Sequence, residues 1–271
     1  MLKQNLPTVL KVGADEVICV DDASPTEDFK FVQDNFSKIK VLKNEQNLGF
    51  GRTVNKGVAA AKGDIVILLN QDVKPQTDIL KFLKTDFKNP QVFGVSLAEA
   101  QYGPTRGVFK DGYLMHEPID PRPSQLTSTF WVSGGSGAFR RSMWDRLGGF
   151  DPIYEPGYWE DLDLSWQAHR QGWQVLWDPR AQVEHVHEQS FGGVHFDQAY
   201  KHQLQERNHL LFNWKNLTDP ELRRAHLLRV IKRAISHPGY LKIVLMALQK
   251  LPALKTSTGE VSDREILLNS D

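Results

Sequence analysis

Residues 63–75 read GDIVILLNQDVKP, five unbroken apolar residues from Ile65 to Leu69 that stop at Asn70-Gln71-Asp72. Residues 16–24, EVICVDDAS, repeat the pattern and stop at Asp21-Asp22. A carboxylate at the end of a buried strand is costly unless something pairs with it. A divalent cation is one such partner, because Mg2+ takes one or two carboxylates and completes its shell with water and phosphate oxygens. A local cap is another, with Asp72 over the turn Val73-Lys74-Pro75 and Asp22 over Ser24-Pro25. Either acid alone fits both readings equally. The two together, within one strand-and-helix unit, favour a site.

Two further clusters add chemistry. In GGFDPIYEPGYWEDLDLSWQAHRQGW (148–173), Glu160, Asp161 and Asp163 crowd a helix start among Tyr158, Trp159 and Trp166. Acids are favoured there by the helix dipole, which is a structural role. A carboxylate in an aromatic, desolvated cleft also has its pKa raised toward that of a useful general base. In WDPRAQVEHVHEQS, His185 and His187 share one strand face. The pair could ligate metal, but no matching Cys/His set lies nearby, which disfavours a structural zinc site, while one histidine completing an oxygen-rich metal site is consistent.

The elements that must carry these residues alternate. Apolar runs at 16–24, at the start of 39–50, at 65–69 and at 91–100 are separated by helical spacing at 52–64 (Val54, Val58, Ala61) and 76–88 (Ile79, Leu80, Phe82, Leu83, Phe87). Runs without polar alternation predict a mainly parallel sheet covered on both faces. In such sheets ligands bind beyond the carboxyl ends of the strands, where Asp22 and Asp72 fall. Residues 101–129, rich in Pro and Gly, read as a long loop, 160–171 as a helix, and 197–254 as helical.

Lys+Arg and Asp+Glu both number 33, so the formal net charge is zero and nothing drives the whole chain toward nucleic acid. Cys19 is alone, which forbids a disulfide framework and suits a reducing cytoplasm. The stretch MLKQNLPTVLK lacks an apolar signal core, and no run reaches the length of a membrane span. The expected location is cytoplasmic. Between 221 and 255, Arg223, Arg224, Arg229, Lys232, Arg233, Lys242, Lys250 and Lys255 face only Glu221. Leucines and isoleucines fill the spaces between them. Such helices either lie on an anionic membrane surface or pack on the catalytic domain with a solvated basic side.

The segments VDDAS, NLGFGRTVNKGVAAAKGDIVILLNQDVKP, GGSGAFRRSMWDRLGGFDPIYEPGYWEDLDLSWQAHRQGWQVLWDPRAQVEH and RNHLLFNWKN together resemble glycosyltransferase family 2, in its rhamnosyltransferase-like branch. The resemblance covers roughly residues 5 to 216. It implies a GT-A fold over residues 1–200, followed by a helical C-terminal extension over 201–271. It also implies an inverting transfer from a dTDP- or UDP-sugar, with Mg2+ or Mn2+, to a polysaccharide or lipid-linked acceptor. On the same resemblance Asn70-Gln71-Asp72 stands for the family's Asp-x-Asp, leaving Asp72 as the main metal ligand and Asn70 beside the donor. His185 falls near the metal and diphosphate, Asp22 at the nucleotide base, and Asn47, Gly49 and Arg52 in the donor loop. Asp161 is the general base, with Glu160 adjacent.

One departure stands out. Family members open with an apolar strand, and the resemblance implies that this sequence starts at the helix that follows it, so that either the true start lies upstream or the form is truncated. The same sequence therefore also fits a non-catalytic, nucleotide-sugar-binding remnant or regulatory subunit.

Overall fold

A computed structural model of the chain describes residues 2–25, 28–186 and 197–268. His187, paired above with His185, lies outside the described residues. The N-terminal elements are α1 (Leu2–Lys11), β1 (Val17–Asp21), α2 (Asp28–Asn35), β2 (Ile39–Lys43), α3 (Phe50–Ala60), β3 (Ile65–Leu69), β4 (Val73–Pro75) and α4 (Ile79–Asp86). The middle of the chain gives β5 (Val92–Glu99), β6 (Thr105–Lys110), β7 (Tyr113–Pro118), β8 (Thr127–Ser128), β9 (Ser136–Arg140), α5 (Arg141–Leu147), α6 (Glu160–Arg170) and β10 (Gln174–His185). Four helices follow: α7 (Gln198–Asn216), α8 (Pro220–Ser236), α9 (Tyr240–Leu248) and α10 (Asp263–Leu268).

Local chemistry explains several boundaries. Asp78 caps α4 by accepting from the Lys81 N–H at 3.2 Å. Asp219 does the same for α8, accepting from Glu221 at 2.8 Å and Leu222 at 3.1 Å, with Pro220 at the first helical position where no N–H is needed. β5 is buried along all of its length, as its unbroken VFGVSLAE predicts.

The central sheet runs in the order β3-β9-β5-β10-β4, with β8 paired to β10. The α/β architecture with helices on both faces agrees with the sequence, but the sheet is mixed where a mainly parallel one was expected. Parallel pairing is confined to β5–β10 and to the separate pair β1–β2. β9 lies antiparallel between β3 and β5. A second correction concerns 101–129: the expected loop contains the β6–β7 hairpin, paired from Thr105–Pro118 to Lys110–Tyr113. Its turn, Asp111-Gly112, has positive φ at both residues, the backbone a tight hairpin demands.

One face of the sheet packs Val95, Leu97 and Leu176 against Ile79 and Leu83 of α4. The other packs Val66, Phe93 and Phe139 against Val58, Trp144 and Leu164. Leu114, Phe130, Trp166, Phe212 and Ile243 form a third cluster that joins α6, α7 and α9 to the hairpin.

Between β1 and β3 lies a cavity of about 1130 Å³. Its lining includes Ile18 and Val20 of β1, Ile67 and Leu69 of β3, Leu6 of α1 and Val58 of α3. Among the described residues β1 pairs only with β2, and β3 only with β9. Protein interiors close-pack with few voids larger than a water molecule, so a space of this size between two sheet edges is unusual.

Candidate active site

The acids sit where the sheet ends. β10 pairs with β5 on one side and with β4 on the other, so its last residue, His185, comes between Glu99 and Asp72. His185 Nε2 lies 3.3 Å from Asp72 Oδ1, and Nδ1 lies 3.0 Å from Glu99 Oε1. Glu99 also accepts from Ser136 Oγ at 2.7 Å. Burial pulls the His185 pKa down, but the two carboxylates outweigh it and raise the group to about 9.

Among the described residues no group of three or more His, Cys, Asp and Glu side chains converges as a closed metal site. Asp72, 8 % exposed, and His185 offer one carboxylate and one imidazole. That donor set fits an open site whose remaining ligands come from phosphate and water. Glu99 stands behind the imidazole, as partners of metal-ligating histidines commonly do. The sequence reading missed Glu99. Its signal was the one used for Asp22 and Asp72, a buried apolar run that ends in an acid.

Asp161 and Glu160 open α6. Asp161 Oδ2 accepts from the Gly134 N–H at 3.0 Å, which ties the helix start to the loop before β9. Burial raises its carboxyl to about 6, against the pull of those backbone N–H groups. Glu160 is 6 % exposed, and its Oε2 has no hydrogen-bond partner. Burial, reinforced by the Asp161 charge, pushes its pKa well above the usual carboxylate range.

The two residues before the helix, Tyr158 and Trp159, have φ of 76° and 78°, left-handed conformations that non-glycine residues rarely adopt. They are held there from α7. The buried Asn208 amide nitrogen lies 2.6, 2.9 and 2.9 Å from the carbonyl oxygens of Tyr154, Gly157 and Tyr158. The Trp159 ring stacks on His209 at 4.3 Å, and burial lowers that imidazole to about 4, so it stays neutral.

A cleft of about 610 Å³ gathers Asn70, Glu160, Asp161 and His185, with Trp131, Tyr158 and Trp159 among its walls. This volume suits a small-molecule site. Asn70 and His185 also line the β1–β3 cavity, together with Asp22, Asn47, Gly49 and Asp72. The structure thus brings eight of the nine sequence-selected residues to one connected region.

Arg52 is the exception: its guanidinium pairs with Glu155 and lines neither space. Asp22 is already well occupied. It accepts from Asn44 Nδ2 and the Leu48 N–H at 2.8 Å each, and from the Gly49 N–H at 3.0 Å. It therefore fixes the loop at 47–49. Ser24 is capped instead by the neighbouring Asp21, at 2.8 Å. Gly49 needs its φ of 82°, and a Cβ there would press on Pro156.

Residues 1–148, more than half of the chain, match the family described as Glycosyl transferase family 2, and the chain belongs to that family. It is 26% identical over 199 residues to N-acetylgalactosaminyltransferase 7 of Drosophila melanogaster, covering 64% of this chain and 34% of that protein. It is 31% identical over 183 residues to the pre-mycofactocin glycosyltransferase of Mycobacterium tuberculosis, covering 63% of this chain and 37% of that protein. It thus spans about a third of the length of these relatives. The fold resembles the crystal structure of GalNAc-T7 with UDP, GalNAc and Mn2+, with a TM-score of 0.64 and 16% identity over 88% of this chain and 54% of that one. The shared fold is that of the GT-A glycosyltransferases.

Proposed function

We propose that this chain carries the catalytic domain of an inverting, metal-dependent glycosyltransferase that uses a nucleotide-sugar donor. The observation that carries the reading is the shared cleft. Asp161, a carboxyl tuned to about 6, lines it together with Asn70 and His185, and His185 in turn contacts Asp72, an edge that would suit a diphosphate.

Asp161 takes the proton from an acceptor hydroxyl as that oxygen bonds to the anomeric carbon. The bond from that carbon to the diphosphate oxygen breaks on the opposite side, which inverts the centre. Asp72 and His185 would hold a divalent cation, which would supply charge neutralisation for the departing diphosphate. Asn70 and the loop 47–49, fixed by Asp22, border the donor. Glu160, kept protonated by burial, donates or stays silent and does not compete as base. The aromatic walls Trp131, Tyr158 and Trp159 suit a sugar's apolar faces.

A dTDP- or UDP-linked donor, rhamnose as the sugar, and a polysaccharide or lipid-linked acceptor follow from the sequence resemblance. The β1–β3 cavity has room for a further strand. The alternative, a nucleotide-sugar-binding remnant, gains weight if that space stays empty in the working protein.

Titrating UDP and dTDP calorimetrically, with and without Mn2+, tests the reading. Metal-dependent binding that Asp72→Ala abolishes and Asp161→Asn spares supports it. Nucleotide binding without turnover of any donor argues for the remnant, and no binding under any condition overturns both readings.

A further inference from the structure

Of the thirteen large apolar residues that stand exposed among the described residues, eight fall between Leu227 and Leu251. Helix α8 already has a core side: His226 and Val230 are buried, and Arg233 reaches Glu206 of α7 at 2.8 Å. At 3.6 residues per turn, Leu227, Leu228, Ile231 and Ile235 fall on the opposite side. Ile235 is 76 % exposed. Helix α9 repeats the arrangement, with Tyr240, Ile243 and Ala247 buried and Leu241, Leu245 and Leu248 outward. Only residues 237–239 separate the two helices.

A helix apolar on two sides has one side that its own fold does not explain. Around these outward stripes the charge has one sign. Residues 222–255 hold eight Lys and Arg and no acid, and Arg233 alone of these cations is ion-paired inward among the described residues.

We propose that α8 and α9 together form a seat for an anionic lipid bilayer, with their outward leucines and isoleucines in the headgroup boundary and Arg223, Arg224, Lys232 and Lys242 at the lipid phosphates. Apolar residues on one side with basic residues beside them are the combination that partitions to anionic interfaces. No helix among the described residues is long and apolar enough to cross a membrane, so the contact is peripheral. The Arg233–Glu206 pair links this seat to the cleft wall, because Glu206 lines the cleft. A bilayer under α8 therefore brings the lipid surface and the cleft to the same α7 helix. The proposal deepens the reading of a lipid-linked acceptor but stands on exposure and charge alone.

The test is sedimentation of the full chain with phosphatidylcholine vesicles, with or without phosphatidylglycerol. Binding to the anionic vesicles alone, falling as salt is raised, is expected. The pair Ile231→Ser and Ile235→Ser lowers partitioning by about tenfold or more. The pair Arg224→Glu and Lys232→Glu does so by about tenfold. Both leave nucleotide binding and helical circular dichroism unchanged. Equal binding to neutral vesicles, or none to anionic ones, overturns the proposal. So does a dimer in sedimentation velocity that the serine pair dissociates, since the stripe would then belong to a second copy. Loss of the transferase reading would leave vesicle binding intact, and loss of vesicle binding would leave UDP binding intact.

Discussion

Glu99 Oε1 lies 3.0 Å from His185 Nδ1, on the far side of the ring from Asp72, whose Oδ1 is 3.3 Å from Nε2. In the proposed site one carboxylate would orient the imidazole and the other would share with it the bound cation. Replacing Glu99 by Gln keeps the shape and removes the charge. Mn2+ affinity in the presence of UDP is expected to fall about 10–100-fold, the usual cost of losing such a partner. Free Mn2+ followed by electron paramagnetic resonance measures it, and unchanged affinity would remove Glu99 from the site.

Asp161 and Glu160 separate by substitution. Asp161→Asn is expected to lower kcat by about 10²–10⁴-fold, the range for removing a general base, with UDP affinity retained. Glu160→Gln, which mimics the protonated acid that burial favours, is expected to keep activity within a few-fold. The reverse pattern would exchange their roles.

The pH dependence has a definite sign. A base near 6 must be ionised to act, so kcat/KM rises through that pH and levels above it. Stability runs the other way. The folded value of Asp161 lies above the ordinary 3.8, so ionising it costs the fold nothing below about pH 4, and the cost grows until about pH 6. The full cost is on the order of 3 kcal/mol. The Tm of Asp161→Asn minus that of the parent should therefore increase between pH 4 and pH 6 in thermal melts. A constant difference would mean that the carboxyl is not perturbed.

Asp22→Ala removes an acceptor that serves two backbone N–H groups and one amide. A loss of about 2–4 kcal/mol in urea unfolding is expected, with a higher KM for donor and little change in kcat. Asn208→Ala acts at a distance on the other wall. Without its amide the turn at Tyr158 and Trp159 loses three hydrogen bonds that offset a left-handed strain of about 1–3 kcal/mol per residue. Here kcat is expected to fall by about tenfold or more even though Asn208 is buried behind the loop. Substituting the exposed Lys81 provides the comparison.

The β1–β3 cavity makes its own prediction. Amides of β1 and β3 that face it exchange faster with deuterium than those of β5, which has partners on both sides. A Val/Ile-rich strand of about five residues, one strand's reach, joined ahead of α1 should slow that exchange. It should also raise Tm by about 5 °C or more. A Gly/Ser extension of equal length should do neither. Equal effects of the two extensions would mean that the space does not take a strand.

Much of this was legible in one dimension. Unbroken apolar runs predict buried strands, and acids that stop those runs predict a ligand edge, because buried charge without a partner is too costly to be incidental. Asp22 and Asp72 could be chosen that way, and Asp161 from its place at a helix start among aromatic residues. Glu160–Arg170 reads as a helix from its acids and periodicity alone. The sheet's pairing was not legible, because a buried strand looks the same in either direction. β9 enters antiparallel through a connection whose path no local pattern encodes. The β6–β7 hairpin hid behind its Pro and Gly, which mark turns equally well in loops and in hairpins.

Roles within the site also needed three dimensions. Sequence spacing says nothing of whether a carboxylate is spent on a loop, as Asp22 is, or keeps a face toward ligand, as Asp72 does. Glu99 stands 86 residues from His185, and only the parallel pairing of β5 with β10 brings them together. Composition fixed the basic, leucine-rich character of α8 and α9. Which side of each helix is core and which faces out was decided by packing, since each helix carries apolar residues on two sides and only tertiary contacts choose between them.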